Sequence, residues 1–241
     1  MCGRFNVVDD PFTVELLQHF GIDSDFAPTV CQYNTEPGSI VPIIINSRGT
    51  YKLVNAIWWM LLKETSEGLR PNAKWRTFNA VTRRLTESPL YRDPFRNSRC
   101  IIPASGYYEW KKENEKRVPY YIKPVDQAIA FAGLYKTWRY KDKFIFSCTL
   151  LTTNAHPKLT GIHDKSSPVM LQPDKFEEWL DPSATDTGQF QPLFEPRFHS
   201  EFSVTPVSSI VNNSRNKTAE CVHPSGDPFS GAGKWRHVWD P

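Results

Sequence analysis

Long apolar runs are absent from this 241-residue chain. No segment approaches the roughly 20 apolar residues that a membrane-spanning helix requires. The first ten residues, MCGRFNVVDD, lack the basic and apolar regions of a secretory signal peptide. A long polar linker and an internal repeat are also absent. We therefore expect a cytoplasmic protein with no membrane partner. A single domain is expected over residues 1–225, followed by a tail over residues 226–241.

The cysteine pattern lacks every common metal or disulfide signature. The five cysteines are an odd number at wide spacing, and neither CxxC nor HExxH occurs. We expect free thiols, no metal site and no cofactor. Cys100 and Cys148 lie inside apolar runs, which is typical of buried cysteines that pack as small hydrophobic residues.

Strong charge of either sign is also absent, because 29 Lys and Arg residues nearly balance 26 Asp and Glu residues. The net charge of +3 excludes a histone-like polycation but allows a local basic groove. The hydrophobic fraction of 39% and aromatic fraction of 13% indicate a globular fold and exclude a disordered chain.

Local patterns predict many short strands and few helices. Asp10 as N-cap, Pro11 at the first helical position and Gly21 as terminator predict a helix over residues 10–21. Two further short helices are predicted over Pro89–Phe95 and Asp174–Leu180. Most connections are too short for parallel crossovers, so we expect an α+β fold with a largely antiparallel, curved or barrel-like sheet. The predicted strands are Ser39–Asn46, Tyr51–Trp59, Arg99–Ile102, Tyr107–Lys111, Tyr120–Lys123, Ile129–Leu134 and Phe144–Thr152.

Cys2 is the first candidate nucleophile, because removal of Met1 would make it the N-terminal residue. Such a cysteine has an α-amine with a pKa of about 7.7–8.0 and a thiol with a pKa of about 8.5. The amine can condense with an aldehyde to an imine, and the thiol can then close a five-membered thiazolidine. Arg4 is a candidate for the positive charge that would favour the thiolate. Alternatively, position 2 is simply a chain terminus without chemistry.

Six segments together resemble the SOS-response-associated peptidase (SRAP) family of abasic-site-processing proteins. They occur in the family's order and span roughly nine-tenths of the chain. The segments are MCGRF at the start, YNTEP (Tyr33–Pro37), FNA (Phe78–Ala80), IIPASGYYEWKK (Ile101–Lys112), IHDKSSPVML (Ile162–Leu171) and TPVSSIVNNSRN (Thr205–Asn216).

The resemblance implies the SRAP fold and a covalent reaction with damaged DNA. We expect from this resemblance that Met1 is removed and that Cys2 crosslinks to the ring-opened deoxyribose aldehyde of an abasic site, preferentially in single-stranded DNA. The crosslink shields the lesion in DNA repair linked to the SOS response. We expect a monomer that is associated with the nucleoid when bound to DNA.

The resemblance also assigns roles to individual residues. Asn79 positions the N-terminus and the sugar, Glu109 is the acid/base residue, and His163 helps to open the sugar ring. For DNA binding, Arg4 matches a phosphate-contacting position, while Asn34 and Pro37 line the DNA cleft. Val81 stands where the family has arginine, and Arg83 is the candidate substitute.

The residue types suit the chemistry that the resemblance implies. Ring opening of a hemiacetal moves protons at two oxygens, and histidine can give or take a proton at neutral pH. Glu109 lies among Tyr107, Tyr108 and Trp110, and apolar surroundings keep a glutamate protonated near neutrality. Strand alternation places Tyr107 and Glu109 on one face. Without the resemblance, Glu109, His163 and Asn79 would fit a solvent-facing strand residue, a structural histidine and a turn residue.

Two other functions stay open at the level of sequence. One is a cysteine peptidase that acts on itself or other chains, with Cys2, His163 and either Glu109 or Asn79 as a triad-like set. The other is a nucleic-acid-binding module without catalysis. Two segments depart from the family pattern, Ile57–Leu62 and Lys165–Ser167, and both put DNA affinity and strand preference in question more than Cys2 chemistry.

Overall fold

The computed structural model describes residues 2–23 and 32–229, and within them the chain is mostly β-structure. The α-helices are α1 (Pro11–His19), α2 (Arg92–Asn97) and α3 (Phe176–Leu180). The strands are β1 (Phe5–Val7), β2 (Gln32–Thr35), β3 (Ile40–Ser47), β4 (Thr50–Trp58), β5 (Leu62–Thr65), β6 (Gly68–Pro71), β7 (Asn79–Val81), β8 (Arg99–Ala104), β9 (Gly106–Glu113), β10 (Lys116–Pro124), β11 (Ile129–Tyr140), β12 (Lys143–Thr153), β13 (Ser167–Pro168) and β14 (Phe202–Pro206).

The first sheet has five antiparallel strands in the order β14-β10-β9-β1-β2. The second has the path β11-β8-β3-β4-β12-β13, with β7 paired to β12. Most of its pairs are antiparallel, but β12 is parallel to both β4 and β7. β5 and β6 form a separate two-stranded sheet. This mixture of antiparallel sheets and short helices confirms the predicted α+β class.

Alternating side chains divide the core into two layers. Ile43 and Ile45 of β3 belong to the cluster that also contains Phe5 and Tyr107 of the first sheet. Ile44, between them, belongs to a second cluster that contains Trp179 of α3. This two-residue period is what a strand with both faces covered requires. The second sheet therefore packs against the first sheet on one face and against the helices on the other.

Local signals located the helices to within a few residues. The Asp10 carboxylate accepts a hydrogen bond from the Thr13 N–H at 2.8 Å, which is an N-cap contact. Gly21 follows the helix with a φ of 65°, a conformation that favours glycine. The short helices predicted at Pro89–Phe95 and Asp174–Leu180 overlap α2 and α3.

Cys100 and Cys148 are fully buried free thiols, as predicted. Cys31 lies outside the described residues. No helix among the described residues is long and apolar enough to cross a membrane. The predicted tail lies mostly outside the described residues, but Phe229, within its first part, donates its N–H to the Val204 carbonyl and packs against Tyr120.

Candidate active site

Cys2 is buried where β1 runs beside β9. Phe5 pairs with Tyr107, and the Tyr108 N–H donates to the Arg4 carbonyl at 2.9 Å. This antiparallel register brings the residues before Phe5 alongside Glu109. The Cys2 side chain is 0% exposed, and its Sγ lies 3.9 Å from the Arg4 carbonyl oxygen. Burial raises the pKa of the Cys2 thiol well above its usual value, so the thiol is protonated at neutral pH.

Glu109 is held on β9 with only 5% of its surface exposed. At its start β9 packs directly against the Tyr121 ring: a Cβ on Gly106 would lie 2.4 Å from that ring, so only glycine fits there. Burial raises the pKa of Glu109 to about 8. Its Oε1 finds no hydrogen-bond partner among the described residues. A protonated carboxylic acid at neutral pH is therefore available here as a proton donor.

Asn79 anchors the Cys2 backbone. It begins β7, where it pairs with Leu150 of β12. The preceding residue, Phe78, accepts a hydrogen bond from the Trp58 indole N–H at 2.8 Å. From this position the Asn79 Nδ2 donates to the Cys2 carbonyl at 2.6 Å. The contact joins the two sheets at the proposed nucleophile.

His163 lies at the more open side of the same cluster. Its backbone N–H donates to the Leu159 carbonyl at 2.7 Å, directly after the 3-10 turn Pro157–Leu159. The Nδ1 atom lies 3.4 Å from the Glu109 Oε2, and 18% of the His163 side chain is exposed. Burial lowers the pKa of His163 to about 4. At pH 7 both members of the pair are uncharged, with the proton on the glutamic acid.

The structure thus brings together the four residues that the resemblance designates as catalytic. A neutral imidazole next to a neutral carboxylic acid is a base and an acid in contact, which is the state that paired proton transfers require. Protons given by Glu109 and taken by His163 can be exchanged across the 3.4 Å contact. The pair can therefore return to its starting state after each transfer.

Tyr107 is a further member of the cluster, and the family resemblance had assigned it no role. Its side chain is fully buried, and its hydroxyl finds no hydrogen-bond partner within the described part of the chain. Burial raises the pKa of Tyr107, with further contributions from Glu109 and Cys2. Strand alternation in the sequence had placed Tyr107 on the same face as Glu109, and this was the one indication that Tyr107 lies at the site.

The half-buried Arg4 and the buried Asn34 hydrogen-bond to each other and to the 211–216 segment. The Arg4 Nη1 donates to the Asn34 Oδ1 at 2.6 Å and to the Val211 carbonyl at 3.0 Å. The Asn34 Nδ2 donates to the carbonyls of Val211, Asn213 and Asn216 at 2.9–3.1 Å. Asn34 is fully buried, and its side chain holds the 211–216 segment. The expectation that Asn34 lines the DNA cleft is therefore not met.

Arg4 does not have the expected effect of favouring the Cys2 thiolate. The Arg4 guanidinium is engaged by Asn34 and Val211 and lies over the Trp110 ring at 5.6 Å. The pKa of the Cys2 thiol is raised by burial, not lowered by this cation. Arg4 is half-buried, which leaves part of its surface for the phosphate contact that the resemblance implies.

Asn34→Ala is expected to destabilise the protein without removing any group from the Cys2 cluster. The Asn213 and Asn216 carbonyls would lose this donor, and the Arg4 guanidinium would lose the Asn34 Oδ1 acceptor, at a total cost of about 3 kcal/mol. The Val211 carbonyl would keep Arg4 as its donor. For a domain of this size the Tm should fall by about 6–12 °C. Thermal unfolding followed by circular dichroism measures the change. Asn97→Ala, at an exposed asparagine, is the control. Equal Tm values for the two variants would contradict the structural role of Asn34.

The remaining predicted DNA contacts lie outside the buried cluster. Pro37 is half-buried in the turn that follows β2. Arg83 is exposed in the 3-10 turn Thr82–Arg84, which directly follows β7. Arg83 thus extends to the surface four residues after Asn79. Within residues 2–23 and 32–229 no group of three His, Cys, Asp or Glu side chains is arranged to hold a metal ion.

Fold and site define an α+β protein with a buried cysteine next to an asparagine, a glutamic acid and a histidine. The SOS response associated peptidase (SRAP) family model matches residues 1–214, and the chain belongs to this family. It is 34% identical over 233 residues to the abasic site processing protein YoaM of Bacillus subtilis, covering 92% of this chain and 97% of YoaM.

Similarity extends to more distant relatives. The abasic site processing protein YedK of Escherichia coli is 26% identical over 231 residues, covering 93% of this chain and all of YedK. A crystal structure of a protein from Bacteroides thetaiotaomicron superposes with a TM-score of 0.73 at 22% identity. The match covers 92% of this chain and 99% of the other. This structural match confirms the SRAP-type fold.

Proposed function

We propose that the protein processes abasic sites in DNA by forming a covalent crosslink through Cys2. The substrate is the ring-opened deoxyribose aldehyde, preferentially in single-stranded DNA, and the reaction follows removal of Met1. Family membership and the names of the relatives support abasic-site processing. The geometry supports the covalent step, chiefly through the hydrogen bond from Asn79 to the Cys2 carbonyl.

The first step is opening of the sugar ring. The neutral His163 imidazole takes the proton of the anomeric hydroxyl while the Glu109 carboxylic acid gives a proton to the ring oxygen. The carbon–oxygen bond of the ring breaks and the aldehyde is released. Both residues have the protonation state that this step needs at pH 7, because burial raises the pKa of Glu109 to about 8 and lowers that of His163 to about 4.

The second step forms the crosslink at the aldehyde carbon. The Cys2 α-amine adds to the carbonyl, and loss of one water, with a proton supplied by Glu109, gives the imine. The Cys2 sulfur then bonds to the imine carbon while its proton passes to the imine nitrogen. The product is a thiazolidine, and one water is lost overall. This route uses a neutral thiol, which agrees with the raised pKa of Cys2.

The buried thiol disfavours the cysteine peptidase hypothesis. A peptidase of that type attacks with a thiolate, whose formation needs a lowered cysteine pKa. Burial has the opposite effect on Cys2. The crosslinking route does not need a thiolate at its start, because the amine captures the aldehyde first.

Asn79→Ala is expected to slow crosslinking by about tenfold to a hundredfold, because a mispositioned reacting group costs rate on this scale. Asn55→Ala, at an exposed position on β4, serves as the control and should react like wild type. The initial rate at saturating DNA measures the effect. An Asn79→Ala rate within twofold of the control would contradict the anchoring role.

The proposal as a whole is tested with untagged protein and a single-stranded oligonucleotide that contains one abasic site. A heat-stable shifted band on a denaturing gel is expected, and it should be weaker with duplex DNA. An undamaged oligonucleotide of the same sequence should give no band. Absence of a shifted band, once mass spectrometry has shown that Met1 is removed, would reject the covalent function.

A further inference from the structure

The tip of the β11–β12 hairpin, residues 136–144, concentrates positive charge and exposed aromatic surface. It contains four basic residues and one acidic residue, so its net charge equals that of the whole chain. Phe144 is 71% exposed, the largest fraction among the exposed large hydrophobic residues of the described chain. The Lys136 ammonium lies over the Trp138 ring at 4.4 Å, and that of Lys141 over the Tyr140 ring at 5.4 Å.

The face that presents Phe144 is continuous with the layer that contains Cys2. Alternation along β12 puts Phe144, Phe146, Cys148 and Leu150 on one face. Cys148 and Leu150 belong to the same buried cluster as Cys2, and Phe146 packs against that cluster. Phe144 is the exposed end of this row. Arg139 pairs with Phe144 across the hairpin and is exposed, so a cation and an aromatic ring share the face.

The distance from this face to the proposed site follows from the strand register. Asn79, which holds Cys2, pairs with Leu150. Leu150 lies six residue steps along β12 from Phe144, and at about 3.3 Å per step they are about 20 Å apart. A nucleic acid strand advances about 3.4 Å per stacked nucleotide, so the hairpin tip lies about six stacked nucleotides from the lesion. Fewer nucleotides span this distance when the strand is extended.

We propose that the hairpin tip binds the single-stranded DNA that flanks the abasic site, with Phe144 stacking on a base and Arg139 contacting the phosphate backbone. Polyanionic backbones are attracted to clustered basic side chains, and an exposed aromatic ring accepts any unstacked base. This site rests on the proposed function, because it extends the footprint of the same substrate. It would favour substrates in which at least one flank is long enough to reach the tip.

The test compares wild type and variants on two lengths of single-stranded substrate. The short oligonucleotide has two nucleotides on each side of the abasic site, and the long one has twelve. With the long substrate, Phe144→Ala should weaken binding about tenfold, the scale expected for loss of one base stack. Arg139→Gln should weaken it less and reduce the salt dependence. Two exposed residues provide the matched controls. Val125→Ala, directly after β10, matches Phe144→Ala, and Lys123→Gln, on β10, matches Arg139→Gln.

The outcomes separate this inference from the proposed function. Weaker binding of the long substrate, with unchanged crosslinking of the short one, would support the hairpin site. If wild type crosslinks both lengths but Phe144→Ala binds the long one like its control, the hairpin site is rejected and the crosslinking function stands. Two one-sided substrates, each with the long flank on only one side, identify the strand polarity. If Val125→Ala and Lys123→Gln weaken binding as much as the hairpin variants do, the effect is not specific to the hairpin tip and the hairpin site is also rejected.

Discussion

Cys2→Ala is expected to form no heat-stable crosslink with abasic DNA while still capturing the aldehyde reversibly. The variant retains an N-terminal α-amine once Met1 is removed, so it can form the imine. It lacks the sulfur that closes the thiazolidine, and the imine therefore hydrolyses when the sample is heated. Reduction with borohydride before heating should convert the imine into a stable amine and restore a shifted band.

The matched control is Cys148→Ala, which removes another fully buried thiol of the same cluster. It should retain the heat-stable crosslink, although the new cavity lowers its stability. A heat-stable band from Cys2→Ala would show that another nucleophile reacts. Loss of the borohydride-trapped band from a folded Cys2→Ala would show that the amine is not the group that first captures the aldehyde.

Glu109→Gln should slow crosslinking by about 10²–10⁴-fold, the usual contribution of a general acid. In wild type, burial raises the pKa of Glu109 to about 8, so its acidic form and the rate should both decline as the pH rises past this value. The variant should lack this decline. Glu113→Gln, at the partly exposed end of the same strand, is the control and should keep both the rate and its pH dependence.

Glu109→Gln should slow crosslinking but raise the stability of the fold at alkaline pH. Folded Glu109 keeps its proton up to about pH 8, whereas the unfolded residue loses it near pH 4.5, so the folded state binds more protons between these values. The free energy of unfolding therefore falls as pH rises through this window. His163 has the opposite effect between pH 4 and 6.5, because its folded-state pKa is lowered. Of these two residues, only Glu109 still changes the free energy of unfolding with pH above pH 6.5.

Glu109→Gln cannot ionise, so its Tm should exceed that of wild type by several degrees at pH 9. Thermal melts of both proteins at pH 7 and pH 9 measure this difference. A wild-type Tm equal to or above that of the variant at pH 9 would mean that the Glu109 carboxylate is not desolvated as the structure indicates.

Elements specified by neighbouring residues were predictable from sequence, and elements specified by distant pairing were not. Helix α1 has its cap and terminator within its own segment, and the β3–β4 hairpin has its turn between its strands. By contrast, the three-residue strand β7 exists because it pairs in parallel with β12, about 70 residues away in the chain. Its short sequence contains no strand pattern that could have indicated this pairing.

The site shows the same division. The motif resemblance selected Asn79, Glu109 and His163, and the structure brings them together with Cys2. It could not show that Asn34 is buried and binds three backbone carbonyls, because those carbonyls lie about 180 residues further along the chain. The aromatic neighbours of Glu109 in the sequence did predict its protonated state, which agrees with the raised pKa in the fold. The lowered pKa of His163 could not be predicted, because it depends on burial that only the fold creates.

The most direct test of the central claim is mass spectrometry of the crosslinked N-terminal peptide. After nuclease and protease digestion, the account predicts a peptide that begins at Cys2, lacks Met1, and bears the sugar remnant with the loss of one water. Fragmentation should place the remnant on the first residue, with its thiol resistant to alkylation. An adduct on a peptide that retains Met1, on a lysine, or on a peptide whose Cys2 thiol still alkylates would contradict the account.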